Sequence, residues 1–115
     1  MRAFISIFLL AASGCLCVPS QASCDNRSKG GFTCTDLLTN RNSQFASTLE
    51  VLCAGGTFST STLCDRSGSL GGCLCEGCEN GRSITWFYPA ADAGITSTAD
   101  VMKQCADKSR TFESP

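Results

Sequence analysis

Hydrophobic and polar positions sort the chain into segments of different period. Residues 3–10 (AFISIFLL) are almost wholly apolar, and residues 11–18 (AASGCLCV) stay small and apolar. Residues 24–31 are polar and loop-like, and residues 31–35 fit a short strand. In residues 43–54, Phe45, Leu49, Leu52 and Cys53 recur at helical spacing. Ser43 can cap that helix and Gly55-Gly56 can end it. Whether it begins earlier, at residues 35–38, is open; Asn40-Arg41-Asn42 argues for a turn between the two. Residues 57–64 (TFSTSTLC) are rich in β-branched positions and read as a strand. Asp65-Arg66-Ser67-Gly68 is turn chemistry. Residues 69–78 lead into Asn80-Gly81, a strong two-residue hairpin signal. Residues 82–88 (RSITWFY) form the return strand, which Pro89 stops. The three strands predict an antiparallel meander. A last helix is expected over residues 97–109, with Ser97 and Asp100 as a capping box and Thr98, Val101, Met102 and Cys105 as its apolar stripe. Residues 110–115 add a short edge strand or fray.

A two-residue turn at Asn80-Gly81 sets a register. Glu79 then faces Arg82, Cys75 faces Trp86 and Cys73 faces Tyr88. Alternation puts Cys73, Cys75, Ile84, Trp86 and Tyr88 on one face, the expected core. Leu74, Glu76, Cys78 and Phe87 fall on the other. Cys78 is expected to find a partner in the N-terminal segment, Cys24 or Cys34. Phe87, opposite Leu74, is either covered by that segment or part of an exposed apolar patch of the kind that marks binding sites.

The first apolar run is too short for a transmembrane span and no second one follows. Arg2 precedes it, Pro19 breaks it, and Ser20-Gln21-Ala22 fits small-x-small cleavage. Residues 1–22 therefore read as a secretory signal, and residues 23–115 as a single domain. A lipobox-like reading of residues 12–15, with Cys15 lipidated, is the rival. Cleavage after Ala22 removes Cys15 and Cys17 and leaves Cys24, Cys34, Cys53, Cys64, Cys73, Cys75, Cys78 and Cys105. An even set in an exported chain implies a disulfide framework whose connectivity spacing alone leaves open. A small core needs such staples.

The full chain carries 9 basic and 10 acidic residues, no run of Lys or Arg, and no His. Nucleic-acid binding and cationic membrane disruption are disfavoured, since both draw affinity from clustered positive charge. Missing histidine removes the usual Ser-His-Asp and Cys-His nucleophile arrangements. Cys73-x-Cys75-x-x-Cys78 lacks the second ligand pair a zinc site uses, so no metal or other cofactor is expected. Paired carboxylates could still hydrolyse a glycoside, but Glu50, Glu76 and Glu79 fall at solvated positions. Asn26-Arg27-Ser28 is a glycosylation sequon. Arg66, on a turn beside a disulfide cysteine, is placed as the reactive basic residue of a braced-loop protease inhibitor would be; it is equally an ordinary polar turn residue.

A signal, eight cysteines after it, and a meander between two helices give a chain that resembles the small cysteine-rich secreted effector proteins of fungi. Cys73-Leu74-Cys75 followed by a late helix with Cys105 is similar to the killer-toxin-like proteins, whose fold is a small α+β sandwich. Adjacent Cys-Cys pairs, the mark of hydrophobins and plant lipid-transfer proteins, are absent. The expectation is an α+β fold: a small disulfide-rich sandwich with a three- to four-stranded antiparallel sheet packed against two helices. The resemblance implies a secreted, extracellular, non-enzymatic protein that binds a host or extracellular protein target. It carries over no catalytic residue. Phe87, Leu74 and Arg66 are the target-binding candidates.

Overall fold

The computed structural model describes residues 21–40, 50–78 and 81–115. Residues 1–20 of the expected signal segment, most of the helix expected over residues 43–54, and Glu79 and Asn80 lie outside the described residues. Six antiparallel strands form one sheet: β1 Ala22–Asp25, β2 Thr33–Asn40, β3 Thr57–Ser59, β4 Gly71–Cys78, β5 Gly81–Phe87 and β6 Thr111–Glu113, in the order β3-β1-β2-β5-β4-β6. Helix α1 spans Thr98–Asp107, and residues 50–52 are also helical. The α+β class holds, with more strands than the sequence pattern suggested. The two edge strands are three residues each. Such short edges offer little unpaired backbone to a neighbouring chain.

The expected meander is replaced by a longer-range pairing. Thr57–Ser59 sits on the far edge beside β1, and the chain after it leaves the sheet. Its expected place beside β4 is taken by the terminal strand β6, and the far side of β5 by β2, whose extent includes the residues left open between helix and strand. Residues 22–25, which run from the expected cleavage site into the stretch read as loop, are extended because both their edges find partners, β2 and β3.

The hairpin register also differs. Cys75 pairs with Ser83, not Trp86, and Cys73 with Thr85, not Tyr88. The cause is local. Cys75 and Cys78 are disulfide-bonded with Cα atoms 5.7 Å apart. Three residues of straight strand would span roughly 10 Å. Gly77, at φ +76°, folds the strand into a bulge between Glu76 and Cys78. Cys78 therefore pairs within its own strand, not with the N-terminal segment. Glu76 meets Arg82 at 3.1 Å, and the expected Glu79–Arg82 pairing falls on a residue outside those described. Cys75 faces Ser83 instead of Trp86 three positions on, and an odd slip moves each residue of one strand to the opposite face.

The sheet consequently has two cores. On the helix face, Cys73, Phe87, Ile95, Val101 and Cys105 pack together, with Phe32, Leu70 and Phe112 against them. On the other face, Cys34, Ile84, Trp86 and Tyr88 cluster, with Leu38, Cys64 and Leu74 half-buried beside them. Trp86 and Tyr88 are core, as alternation implied. Phe87 is core as well, 8% exposed, under α1 rather than on a surface patch. Gly72 is required where it is: a Cβ there would lie 2.8 Å from Trp86 Cε3 and from Ile84 Cγ2.

Helix α1 follows its sequence signals. Ser97 Oγ accepts from Asp100 N, and the Asp100 carboxylate accepts from Ser97 N at 3.0 Å. The Thr96 backbone N–H at 2.9 Å, with the Ser97 and Thr96 hydroxyls and Ser97 N, holds the Asp100 carboxyl below its usual value. Val101 and Cys105, four apart, face the sheet, whereas Met102 is 50% exposed and leaves the stripe. Arg110 precedes the expected edge strand β6.

Three disulfides bridge long separations: Cys24–Cys53, Cys34–Cys64 and Cys73–Cys105, closing 29, 30 and 32 residues. Loop-closure entropy gives each about 4 kcal/mol, against about 2 kcal/mol for Cys75–Cys78. Replacing Cys73 and Cys105 together by Ser should thus lower the urea midpoint far more than replacing Cys75 and Cys78. Phe87→Ala should cost about 3–5 kcal/mol in the same assay, the penalty for emptying a packed aromatic site; a melting temperature close to that of the unmodified protein would place Phe87 at the surface instead.

Candidate functional site

Residues 60–70 form an irregular strap across the non-helix face. The segment is rich in Ser and Thr, which satisfy backbone donors locally instead of continuing a strand. Ser59 Oγ accepts from Ser61 N and Thr62 N at 3.1 and 3.0 Å. The expected Asp65–Gly68 turn forms: Asp65 Oδ1 accepts from Ser67 N at 2.9 Å, Ser69 N donates to Arg66 O at 3.0 Å, and Gly68 takes φ +85°.

Long-range bonds tie the strap to the sheet at intervals. Ser23 Oγ donates to Thr62 O at 2.7 Å. Cys64 is covalently joined to Cys34 on β2. Tyr88 Oη donates to Asp65 O, and Leu70 N donates to Phe87 O at 2.8 Å. The central anchor is Asp36, a residue to which the sequence reading gave no role. Its carboxylate is 2% exposed and accepts from Cys64 N at 2.8 Å and from the Trp86 indole N–H at 3.0 Å. A carboxylate at a strand position that alternation turns inward was the available signal, had β2 been extended past Thr35.

Electrostatics follow from these contacts. Burial pushes the Asp36 carboxyl above its usual value, and the two N–H donors and the nearby Arg66 charge oppose the shift. Arg66 is exposed, with its guanidinium over the Trp86 ring at 4.6 Å from the centroid. Arg27 covers Tyr88 in the same way, at 3.8 Å, and forks onto Asp25 at 3.0 and 2.8 Å. That fork holds the Asp25 carboxyl below its usual value. Between strap and β1 lies a hollow of about 210 Å³, whose lining includes Asp25, Arg27, Thr62, Leu63 and Asp65.

The fold brings Arg66 and Leu74 to one face but separates them from Phe87. Arg66 is exposed on the strap; Leu74 is half-buried against the Ile84 and Trp86 cluster. Phe87 belongs to the opposite core. Leu63, 40% exposed on the strap, is the apolar surface residue that sequence reasoning missed. Asn26, the sequon residue, sits on a 3-10 turn over Asn26–Lys29, half-buried, with Nδ2 donating to Thr33 Oγ1 at 3.4 Å. A glycan there would replace that bond.

Each Asp36 oxygen already accepts one N–H donor. Glu76 is exposed and ion-paired with Arg82, and Glu50 is exposed. All eight described cysteines are in disulfides, and among the described residues no three Cys, Asp or Glu converge as a metal site. No described helix is long and apolar enough to cross a membrane.

Asp36→Asn leaves one oxygen for two buried donors and should cost about 1–3 kcal/mol. A titration separates the charge from the shape. Because the folded pKa lies above the ordinary 3.8, the Asp36 contribution is fully present below that value and is lost as pH rises through the raised one. Urea unfolding at successive pH values should show the wild type gaining on Asp36→Asn as pH falls through that window. A difference independent of pH would mean that Asp36 titrates normally.

No family model matches this chain, and no curated protein and no solved structure does either.

Proposed function

We propose that this chain is a secreted, non-enzymatic binding protein of effector or toxin-like kind, which engages a host or extracellular protein target through the strap. One observation carries the reading: an exposed, non-repetitive segment is bonded to the sheet at Thr62, Cys64, Asp65 and Leu70, by one covalent and several hydrogen-bonded anchors. A loop fixed on a rigid scaffold loses little freedom on binding, so its contacts go into affinity. Leu63, Asp65 and Arg66 are its outward groups. The four disulfides fit an oxidising compartment. The effector or toxin-like character rests on the resemblance of the cysteine framework and the late helix.

The strap also supports an inhibitor reading, since a basic residue sits on a braced loop. Arg66 lies flat on Trp86, however, and would give up a contact worth about 0.5–1 kcal/mol to enter a protease pocket.

A photo-crosslinking residue at position 63 of the secreted protein should capture one extracellular protein, competed by unlabelled protein, while the same residue at position 102 captures none. Arg66→Glu should weaken that capture without moving the melting temperature by more than a few degrees. Capture from position 102 alone would put the interface on α1 and sink the strap reading. Inhibition of a trypsin-like protease that Arg66→Ala abolishes would replace binding by inhibition.

A further inference from the structure

The helix face is covered unevenly. Helix α1 lies along β4: Thr98 Oγ1 donates to Leu70 O at 3.2 Å, and Cys105 is bonded to Cys73. On the other side, Cys24–Cys53 holds the 50–53 turn to β1. Between them, β5 and β2 floor a groove of about 310 Å³. This lies at the lower end of small-ligand pockets, roughly 300–1,000 Å³.

The groove is polar at one end and apolar at the other. Register fixes the direction. Phe87 pairs with Gly71, near the start of α1, and Thr85 pairs with Cys73, near its end. Phe32, Phe87 and Ile95 therefore line the end at the helix start, and Phe32 and Phe87 stack at 6.3 Å. Gln104, Lys108 and Arg110 line the other end with Thr85.

Among the described residues, neither cation has an ion-pair partner. The described ion pairs are Arg27–Asp25 and Arg82–Glu76, and no Asp or Glu lines this groove. Nor are these side chains needed to finish the helix. Backbone N–H groups of Lys108 and Arg110 donate to Cys105 O, and that of Ser109 to Ala106 O. Asp92 lines the adjoining hollow, which shares Phe32 and Ala93 with the groove. It lies past the apolar end and repels an anion placed backwards.

We propose that this groove binds a small amphipathic anion: a free monocarboxylate with a medium-length apolar tail. The carboxylate takes charge-assisted hydrogen bonds from Lys108 and Arg110, with Gln104 and Thr85 beside them. The tail lies along Thr85, Phe87, Phe32 and Ile95. The site is on the opposite face from the strap, so either assignment can fail without the other.

Decanoate is the probe, with decanol as the uncharged control of equal tail and vesicles of anionic phospholipid as the membrane control. In amide NMR of the oxidised protein, decanoate should shift Phe32, Thr85, Phe87, Ile95, Lys108 and Arg110 and leave Leu63 and Arg66 in place. Decanol should bind about tenfold more weakly, the loss expected for a charge-assisted contact. Lys108→Glu with Arg110→Glu should abolish the preference for decanoate. Lys108→Ala, at an exposed side chain, keeps the test readable should the double variant fold poorly, and should weaken decanoate several-fold with an unchanged melting temperature. Equal binding of decanoate and decanol, shifts confined to Val51 and Leu52, binding to vesicles without binding to decanoate, or no binding would each overturn the proposal.

Discussion

The structure depends on β5 being buried on both faces. Ile84 and Trp86 serve the strap side, and Thr85 and Phe87 serve the helix side. Over Ile84–Phe87, where both faces are in use, the strand has no solvated side to spend on charge, and its one charged residue, Arg82, is exposed near the hairpin end. Its neighbours must then deliver covering elements to opposite sides. β4 does this through Cys73–Cys105, which brings α1 to one face, and β2 does it through Cys34–Cys64, which brings the strap to the other. Cystine thus takes over part of the work that a larger domain would leave to burial alone.

Asp36 shows how polar groups enter such a thin core. A buried carboxylate is costly unless hydrogen bonds satisfy it. Here the indole N–H of Trp86 and the amide of Cys64 do so, and Arg66 lies close enough to oppose the shift. The same three residues fix the strap's path. A group that is unfavourable as a transfer term therefore acts as a positional constraint, setting where an otherwise irregular segment runs.

Features governed by local chemistry were legible in the sequence. The capping box at Ser97 and Asp100, the Asp65–Gly68 turn and the terminal edge strand needed only neighbours along the chain, whereas the even cysteine count implied a disulfide framework without saying which cysteine joins which. Features governed by distant partners were not. The strand at β1 has no pattern of its own and exists because β2 and β3 flank it. Thr57–Ser59 shares the composition of a meander strand, but composition does not say which edge it joins. The register of β4 and β5 turned on one disulfide: treating Asn80-Gly81 as the whole turn ignored that Cys75 and Cys78 can bond across Gly77. That single omission put Leu74 on the face of Phe87 and Cys73 on the face of Trp86, and so hid the second core beneath α1. Of the binding candidates, Arg66 kept its exposed position, Leu74 became half-buried, and Leu63 and Asp36 acquired the roles that the alternation pattern had not assigned.

The cysteine pairing divides the covalent graph of the described chain in two. Cys24–Cys53 and Cys34–Cys64 interlock, and Cys73–Cys105 encloses Cys75–Cys78, but no described crosslink spans residues 65–72. Arg66 lies in that interval on an exposed turn. One peptide-bond scission there would convert the molecule into two fragments with no described covalent link between them, associated through the β2–β5 ladder and the contacts beneath the strap. The monomer is, in its bonding topology, a latent heterodimer.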